Sequence, residues 1–319
     1  MKHMEKISFI IPCYRSEKTI RGVVEEIQST MERIGKYEYE IILINDCSPD
    51  GTFRVIEEIC NRDERLIGIN FARNFGQHAA LMAGFRRMTG DTAVCLDDDG
   101  QTPANEVEAL LNKINEGYDV VYASYEQKQH SGFRNWGSNV NRKMTEVLLG
   151  KPKNIFISSY FAAKRYIVEE MIRYEGCYPY VIGLVLRSTK NICNVPIKHR
   201  KRESGNSGYT LGKLFSLWMN GFTSFSVRPL RIANYFGVFS AAMGFLYLLV
   251  IIIRYFVWHN APQGWSSTVA LILLLGGIVL LVLGMIGEYI GRIYMCINMT
   301  PQYLIKEVVQ KKCEHGKEM

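Results

Sequence analysis

Three consecutive aspartates, Asp97–Asp99, follow a short apolar run and are themselves followed by Gln101. Their mutual repulsion would be costly unless a cation lay beside them. Carboxylate and amide oxygens suit Mg²⁺ or Mn²⁺, and Mg²⁺ usually completes its coordination shell with substrate phosphates. The group therefore predicts a divalent metal site with oxygen ligands.

Acidic residues also follow two other apolar runs. Ile7–Ile11 precedes Glu17, and Ile41–Ile44 precedes Asp46 and Asp50. If these runs are neighbouring strands, the acidic residues converge on one edge of a sheet. For Asp50 alone, a role in the turn or cap of the next helix explains the residue equally well.

Apolar runs alternate with segments of helical period over the first 123 residues. The predicted strands are Ile7–Ile11, Ile41–Ile44, Leu66–Phe71, Thr92–Leu96 and Val120–Ala123. The helices between them include Thr52–Cys60 and a segment from about Gln77 to Met88. Nearly all-apolar strands alternating with helices predict an α/β fold with a mostly parallel sheet covered on both faces. Ligands of such sheets bind at the carboxyl ends of the strands.

Two long uncharged runs near the C-terminus predict a pair of transmembrane helices. Ile232–Ile253 contains 22 residues, and Thr268–Gly287 contains 20. At a rise of about 1.5 Å per residue, each run has roughly the length that crosses a bilayer. Buried core helices are the alternative, but such helices seldom keep both faces apolar over this length.

Basic residues flank this predicted hairpin on its outer sides. Arg228 and Arg231 precede the first span, and Arg292 and Lys306 follow the second. The positive-inside rule therefore predicts that both termini are cytoplasmic. The predicted organisation is a cytoplasmic catalytic domain at 1–209, an amphipathic linker at 210–231, a hairpin at 232–290 (helices at about 232–257 and 267–288), and a cytoplasmic tail at 291–319.

Composition and motifs exclude several classes of protein. With 48% hydrophobic and 22% charged residues, the chain is neither disordered nor fibrous. The net charge of +7 is moderate, and the only tight basic cluster, Lys198–Arg202, lies close to the hydrophobic segments, which argues against nucleic-acid binding. The absence of G-x-G-x-x-G after the first strand, of a P-loop and of G-x-S-x-G argues against dinucleotide oxidoreductases, P-loop enzymes and acyl hydrolases.

Seven motifs in order along the chain resemble one enzyme family. They are Ile11–Tyr14, Ile44–Thr52, Arg73–Gly76, Asp97–Gln101, Arg202–Tyr209, Arg228–Arg231 and Gly287–Arg292. The chain is similar to the inverting family 2 glycosyltransferases of GT-A fold, in the polyprenyl-phosphate branch that includes dolichol-phosphate mannose synthase. Within that branch it resembles bacterial two-span members, such as bactoprenol glucosyl transferases and undecaprenyl-phosphate aminoarabinose transferase.

The resemblance implies a role for each matching residue. It implies a metal held by Asp97, Asp99 and Gln101, with Asp97 and Asp99 catalytic. The implied nucleotide-sugar ligands are Pro12, Tyr14, Glu17, Asp46, Asp97 and Asp98. The implied ligands of the diphosphate and the lipid phosphate are Arg134, Arg202 and Ser207.

Many relatives have an aspartate just before the phenylalanine that aligns with Phe161, where this chain reads Ser158-Ser159-Tyr160. An alcohol acceptor would need such a base. A phosphate monoester has a second pKa of about 6, so a lipid phosphate is already largely an anion near neutral pH. An enzyme that uses a phosphate acceptor therefore does not need this aspartate.

The resemblance implies transfer of a sugar from a nucleotide sugar, UDP-linked rather than GDP-linked, to undecaprenyl phosphate at the inner membrane, by a homotetramer. Two alternatives stay open at this point. A processive polysaccharide synthase would carry a Q-x-x-R-W motif and more spans, which the sequence lacks. A non-catalytic membrane assembly module would not need an intact Asp97–Gln101 group.

Overall fold

A computed structural model describes residues 4–125, 151–197 and 264–311, together with scattered helical positions between 235 and 253. The chain forms two compact units, one comprising Met1–Leu214 with Thr300–Met319 and the other Phe215–Met299. The predicted linker at 210–231 lies outside the described residues.

The first unit contains one mixed sheet, with eight strands among its described residues. The strands are β1 (Lys6–Cys13), β2 (Glu38–Asn45), β3 (Leu66–Phe71), β4 (Thr92–Cys95), β5 (Val120–Tyr125), β6 (Phe161–Lys164), β7 (Ile192–Ile197) and β8 (Ile305–Gln310). Their spatial order is β7-β5-β6-β4-β1-β2-β3-β8. β1 pairs in parallel with β2 and β4, and β3 is parallel to β2. The predicted α/β fold with a mostly parallel sheet is therefore confirmed.

Helices cover both faces of this sheet. They are α1 (Ile20–Ile34), α2 (Thr52–Cys60), α3 (Gln77–Arg87), α4 (Val107–Asn115), which follows a 3₁₀ turn at Ala104–Glu106, α5 (Arg165–Ile172) and α6 (Val181–Ser188). The buried stripe of α1, from Ile20 to Met31, packs into the core with Phe9 and Ile41 of the sheet. Because strands β1 to β4 run in the same direction, the loops that follow them all open at one edge.

Two strands of the sheet run against this direction, and each depends on a distant part of the chain. β6 inserts antiparallel between β4 and β5, with Phe161 opposite Cys95. β8 pairs antiparallel with the edge strand β3, where Val308 lies opposite Ile69. The predicted tail at 291–319 was therefore wrong for Ile305–Gln310. The strand has mostly exposed side chains because it lies at the edge, so its sequence is too polar to resemble a core strand.

The second unit contains the longest described helix, α7 (Trp265–Ile297). Its segment Leu275–Ile297 is long and apolar enough to cross a membrane, and none of that segment is buried within the protein. The predicted second span ended at 288, whereas the helix continues for nine residues more. The described positions of the predicted first span are helical, namely Tyr235, Gly237, Phe239, Ala242, Met243, Leu246 and Ile253.

Helix α3 lies close against the sheet because Gly84 has no side chain. A Cβ at Gly84 would overlap Cγ2 of Ile10 and lie 3.1 Å from Cδ1 of Ile44. This close approach fixes the helix whose N-terminal turn faces the loops after β2 and β4.

We expect Gly84→Ala to lower the free energy of unfolding. Overpacking a core costs about 1–3 kcal/mol, which outweighs the gain of about 1 kcal/mol from replacing a helical glycine by alanine. The matched control is Gly22→Ala in α1, where a new Cβ would meet nothing within 4 Å, so stability should rise. Thermal unfolding of the full-length protein measures both changes, and stabilisation by both would contradict this account of the packing.

Candidate active site

The loop after β1 is attached to the aspartate group after β4. The backbone N–H of Tyr14 donates to Oδ2 of Asp98 over 2.8 Å, and the hydroxyl of Thr19 donates to the carbonyl of Asp98 over 2.6 Å. The Tyr14 side chain is 46% exposed, so its ring stays available to a ligand. Pro12, opposite Ile44 in the paired strands, is the second-last residue of β1.

Asp46 organises the turn between β3 and α3. Its buried carboxylate accepts hydrogen bonds from the N–H of Phe75 at 2.7 Å and of Gly76 at 2.8 Å. Burial raises the pKa of Asp46, and the two N–H bonds oppose that rise. Asn74 also donates to the Asp46 carbonyl over 3.1 Å. Both carboxylate oxygens of Asp46 therefore accept hydrogen bonds from the backbone of the β3–α3 turn. The predicted contact of Asp46 with the nucleotide stays a prediction.

Asp50 stabilises the turn that opens α2. Its Oδ1 accepts from the Ser48 hydroxyl and the Thr52 hydroxyl, each at 2.6 Å, and from the Thr52 N–H at 3.2 Å. Although burial raises the pKa of Asp50, these hydrogen bonds lower it below its usual value. Of the two interpretations of Asp50, the turn role is the one that the structure confirms.

Glu17 contacts the start of the same helix. Its Oε2 accepts from the Gly51 N–H over 3.1 Å, and its Oε1 lies 3.7 Å from Arg54. A Cβ at Gly51 would lie 2.6 Å from Glu17 Oε1, so a larger residue there would displace the Glu17 carboxylate. Glu17 therefore connects the loop after β1 to α2, and its predicted role as a nucleotide ligand stays a prediction.

The three aspartates after β4 have different partners. Asp97 accepts from Gln77 Nε2 over 3.2 Å and from the Ser159 hydroxyl through a short hydrogen bond. Asp99 accepts from the backbone N–H of Gln101 over 3.0 Å. These hydrogen bonds hold the carboxylates of Asp97 and Asp99 in fixed directions, although the three consecutive aspartates carry like charges.

Asp98 is the aspartate whose ionisation the protein environment disfavours. Burial raises the pKa of Asp98 to about 6, the negative charges of Asp97 and Asp99 add to the rise, and the hydrogen bond from Tyr14 N–H opposes it. A cation between neighbouring carboxylates would reverse this effect by favouring their charged forms.

The donor atoms fit a metal that the protein shares with its substrate. Among residues 4–125, 151–197 and 264–311, no three His, Cys, Asp or Glu side chains are placed to hold a metal by themselves. Mg²⁺ and similar ions often take one or two carboxylates and obtain their other ligands from substrate phosphates and water. Asp97, Asp99 and Gln101 suit that kind of site.

The segment before β6 enters the site because β6 is antiparallel to β4. This geometry places Ser159 beside Asp97. Nothing in the sequence indicates this contact, because β6 was not predicted. Tyr160, at the position just before Phe161, is fully buried and donates its hydroxyl to the Pro103 carbonyl over 3.3 Å. It faces the core, and it offers no carboxylate that could act as a base.

Other predicted residues brace the site or lie beyond its described part. The Arg73 guanidinium lies 4.6 Å from the centre of the Phe75 ring, so Arg73 packs within the β3–α3 turn. Arg134, Arg202 and Ser207 lie outside the described residues. Gln77, which sequence reasoning missed, reaches Asp97 from the first turn of α3.

Comparison with known proteins identifies the class of this molecule. The profile of glycosyl transferase family 2 matches residues 8–172, and that of the GtrB C-terminal hairpin matches residues 228–293. The chain belongs to glycosyl transferase family 2 and is a glycosyltransferase with a GT-A domain and a two-helix C-terminal hairpin.

Full-length relatives share this architecture. The chain is 30% identical over 318 residues to an undecaprenyl-phosphate 4-deoxy-4-formamido-L-arabinose transferase of Klebsiella pneumoniae (strain 342), covering 99% of this chain and 97% of the relative. It is 32% identical over 312 residues to the Proteus mirabilis (strain HI4320) protein of that name, covering 97% and 95%. These relatives confirm the resemblance drawn from the motifs.

Solved structures confirm the fold of the catalytic part. The glucosyl-3-phosphoglycerate synthase of Mycobacterium tuberculosis, in complex with Mn²⁺ and uridine-diphosphate-glucose, aligns with a TM-score of 0.52 at 20% identity. The alignment covers 67% of this chain and 76% of that protein. At this identity the likeness supports the GT-A fold alone.

We expect Ser159→Ala to slow glycosyl transfer without unfolding the protein. A hydrogen bond to a charged group contributes about 1.5–3 kcal/mol, so its loss should reduce turnover at least tenfold by freeing Asp97. The control is Ser158→Ala, because Ser158 donates to the Tyr160 carbonyl over 2.8 Å rather than to Asp97. Initial rates and melting temperatures are compared, and equal rate losses in both variants would contradict a specific role for Ser159.

Proposed function

We propose that this protein transfers one sugar from a UDP-sugar to undecaprenyl phosphate, with inversion at the anomeric carbon, at the cytoplasmic leaflet of the inner membrane. The observation that carries the proposal is the convergence of Tyr14, Asp46 and Asp97–Asp99 on the carboxyl edge of the sheet. The names of the relatives, which align over almost the whole chain, support the lipid-phosphate acceptor.

The donor occupies the edge formed by the loops after β1, β2 and β4. The exposed ring of Tyr14 packs against the base, and the loop after β2, which contains Asp46 and Asp50, borders the ribose. Asp97, Asp99 and Gln101 would hold Mg²⁺ or Mn²⁺. When bound, the cation offsets charge that develops on the departing nucleoside diphosphate.

The side chains around Asp97 keep its carboxylate directed toward the sugar and diphosphate. Gln77 and Ser159 each donate a hydrogen bond to it, and the two bonds come from different elements. A preorganised group of this kind stabilises a transition state without having to reorient during the reaction.

The acceptor needs positioning rather than deprotonation. A phosphate monoester with a second pKa of about 6 is largely dianionic near neutral pH. Its oxygen attacks the anomeric carbon from the face opposite the leaving diphosphate, and no proton has to move. Tyr160, buried in place of an acidic residue, is consistent with this chemistry. Arg134 and Arg202 offset the repulsion between the two phosphates, and Ser207 is a further ligand of a phosphate.

The return of the chain to the sheet supports a hairpin topology. β8 pairs with β3, so the chain after α7 lies on the same side of the membrane as the catalytic sheet. The number of membrane crossings between β7 and β8 must therefore be even. With α7 as one crossing, the predicted helix at about 232–257 provides the other. The positive-inside rule then makes that side cytoplasmic. The tetrameric state stays a prediction.

The test incubates full-length protein with Mg²⁺, undecaprenyl phosphate and a panel of nucleotide sugars, and detects the product by lipid mass. The panel includes UDP-linked and GDP-linked glucose, N-acetylhexosamines, galactose and a UDP-linked formamido-arabinose. One sugar-phosphate lipid should form from a UDP-sugar. Repeated addition of sugars would instead indicate a processive synthase. Absence of both transfer and lipid-stimulated hydrolysis with every donor would favour an assembly module.

Asp99→Asn should reduce the transfer rate roughly 10²-fold or more, the usual loss when one charge-stabilising group is removed from a site. Asparagine can still accept from the Gln101 N–H, so the turn is retained while the charge is lost. Glu25→Gln, at an exposed position of α1, is the matched control and should keep full activity. A chelator should abolish transfer, and added Mg²⁺ or Mn²⁺ should restore it. Unchanged turnover in Asp99→Asn would refute the metal role.

A further inference from the structure

A chain of hydrogen-bonded side chains joins the strand after the membrane helix to the loop after β2. Asn70 Nδ2 of β3 donates to Glu307 Oε1 of β8 over 2.7 Å. Asn45 Nδ2 donates to Asn70 Oδ1 over 2.8 Å, and the Ser48 N–H donates to Asn45 Oδ1 over 3.3 Å. We call Glu307, Asn70, Asn45 and Ser48 the amide relay.

The two ends of the amide relay together fix the direction of its hydrogen bonds: Glu307 only accepts and the Ser48 N–H only donates. An ionised carboxylate only accepts, so Asn70 must turn its NH₂ group toward Glu307 and its carbonyl toward Asn45. Asn45 must then donate to Asn70 and present its own carbonyl to the Ser48 N–H. Asn45 and Asn70 are only 2% and 8% exposed, so water cannot readily replace their hydrogen bonds within the amide relay.

The far end of the amide relay supports backbone of unusual conformation. The Ser48 hydroxyl accepts from the Arg15 N–H over 2.7 Å and donates to Asp50 over 2.6 Å. Arg15 and Cys47 both have positive φ, 59° and 52°, which non-glycine residues adopt only when their surroundings fix them. The loop therefore depends on Ser48 to hold the backbone beside Tyr14.

The segment before β8 supports a second loop of the site. The Leu304 carbonyl accepts from the Ala72 N–H over 2.9 Å. The Tyr303 ring stacks on Phe71 with centroids 5.3 Å apart. Ala72 leads directly into the β3–α3 turn, whose N–H groups bind Asp46. The chain after α7 thus contacts the supports of both loops that follow β2 and β3.

We propose that Glu307 is a positioning residue for the nucleotide: by orienting the amide relay, it holds the loop at Asn45–Thr52 in its ligand-binding conformation. This inference rests on the proposed function for the identity of the ligand. It makes binding of the donor dependent on a strand that follows the last membrane helix, more than 200 residues away along the chain from the loop.

The decisive variant replaces the acceptor at one end of the amide relay by a donor. Lysine at 307 only donates, so Glu307→Lys places a donor at each end of the amide relay, and at least one of its hydrogen bonds must be lost. Glu307→Gln keeps an acceptor oxygen for Asn70 and should restore wild-type behaviour. Glu25→Lys, which changes charge equally at an exposed position of α1, is the control.

The first measurement is hydrogen–deuterium exchange of full-length protein without ligand. Glu307→Lys should speed exchange in the peptide containing Asn45–Thr52 about tenfold, the effect of one lost net hydrogen bond. Glu307→Gln and Glu25→Lys should match wild type. Equal exchange in Glu307→Lys and Glu307→Gln would overturn the proposal. If Glu307→Lys does not fold, Glu307→Ala, which removes the acceptor without adding a donor, decides by the same comparison.

The second measurement is titration with UDP and Mn²⁺, followed by steady-state kinetics. Glu307→Lys should weaken UDP binding about tenfold and raise KM for the donor, while KM for undecaprenyl phosphate stays the same. Faster exchange without any change in UDP binding would overturn the positioning role. If wild-type protein binds no UDP, the proposed function fails for this nucleotide, whereas the exchange result still tests the amide relay.

Discussion

The active site depends on holding three like charges together at the end of one short strand. Asp97–Asp99 begin one residue after β4, and their partners come from four separate segments: Tyr14 after β1, Gln77 in α3, Gln101 in the following turn, and Ser159 before β6. Burial raises the pKa of Asp98, and the negative charges of Asp97 and Asp99 add to that rise. The site is therefore electrostatically incomplete by itself, which suits it to a cation that arrives with an anionic diphosphate.

The position just before Phe161 carries a tyrosine rather than an acid, and the proposed phosphate acceptor accounts for this. Tyr160 occupies that position and its ring belongs to the hydrophobic core. Introducing a carboxylate there would bury a charge at considerable cost. A nucleophile that is already anionic removes the need for a base, so the position can serve packing while Ser159 next to it serves Asp97. In the proposed function, the phosphate acceptor thus removes the requirement for an acidic side chain at this position.

The chain that leaves helix α7 returns to the sheet of the catalytic domain. After α7 ends at Ile297, a connection of a few residues leads into β8, which adds to the sheet edge beside β3. An edge strand in this place protects β3 from pairing with another chain. It also brings Tyr303 against Phe71 and Glu307 within hydrogen-bond distance of Asn70, next to the loops after β2 and β3.

The sequence by itself determined the parallel core, the edge where chemistry occurs and the apolar C-terminal helices. Thr52–Cys60 and Leu66–Phe71 form a helix and a strand with the predicted bounds, because a doubly covered sheet requires uninterrupted apolar runs that local pattern reveals. The tertiary structure alone decided the placement of Ser159 and Glu307. Both depend on antiparallel strands, β6 and β8, whose partners lie far away in sequence. Such pairing is set by the register of the whole sheet. A polar edge strand has no local hydrophobic periodicity from which the pairing could be predicted.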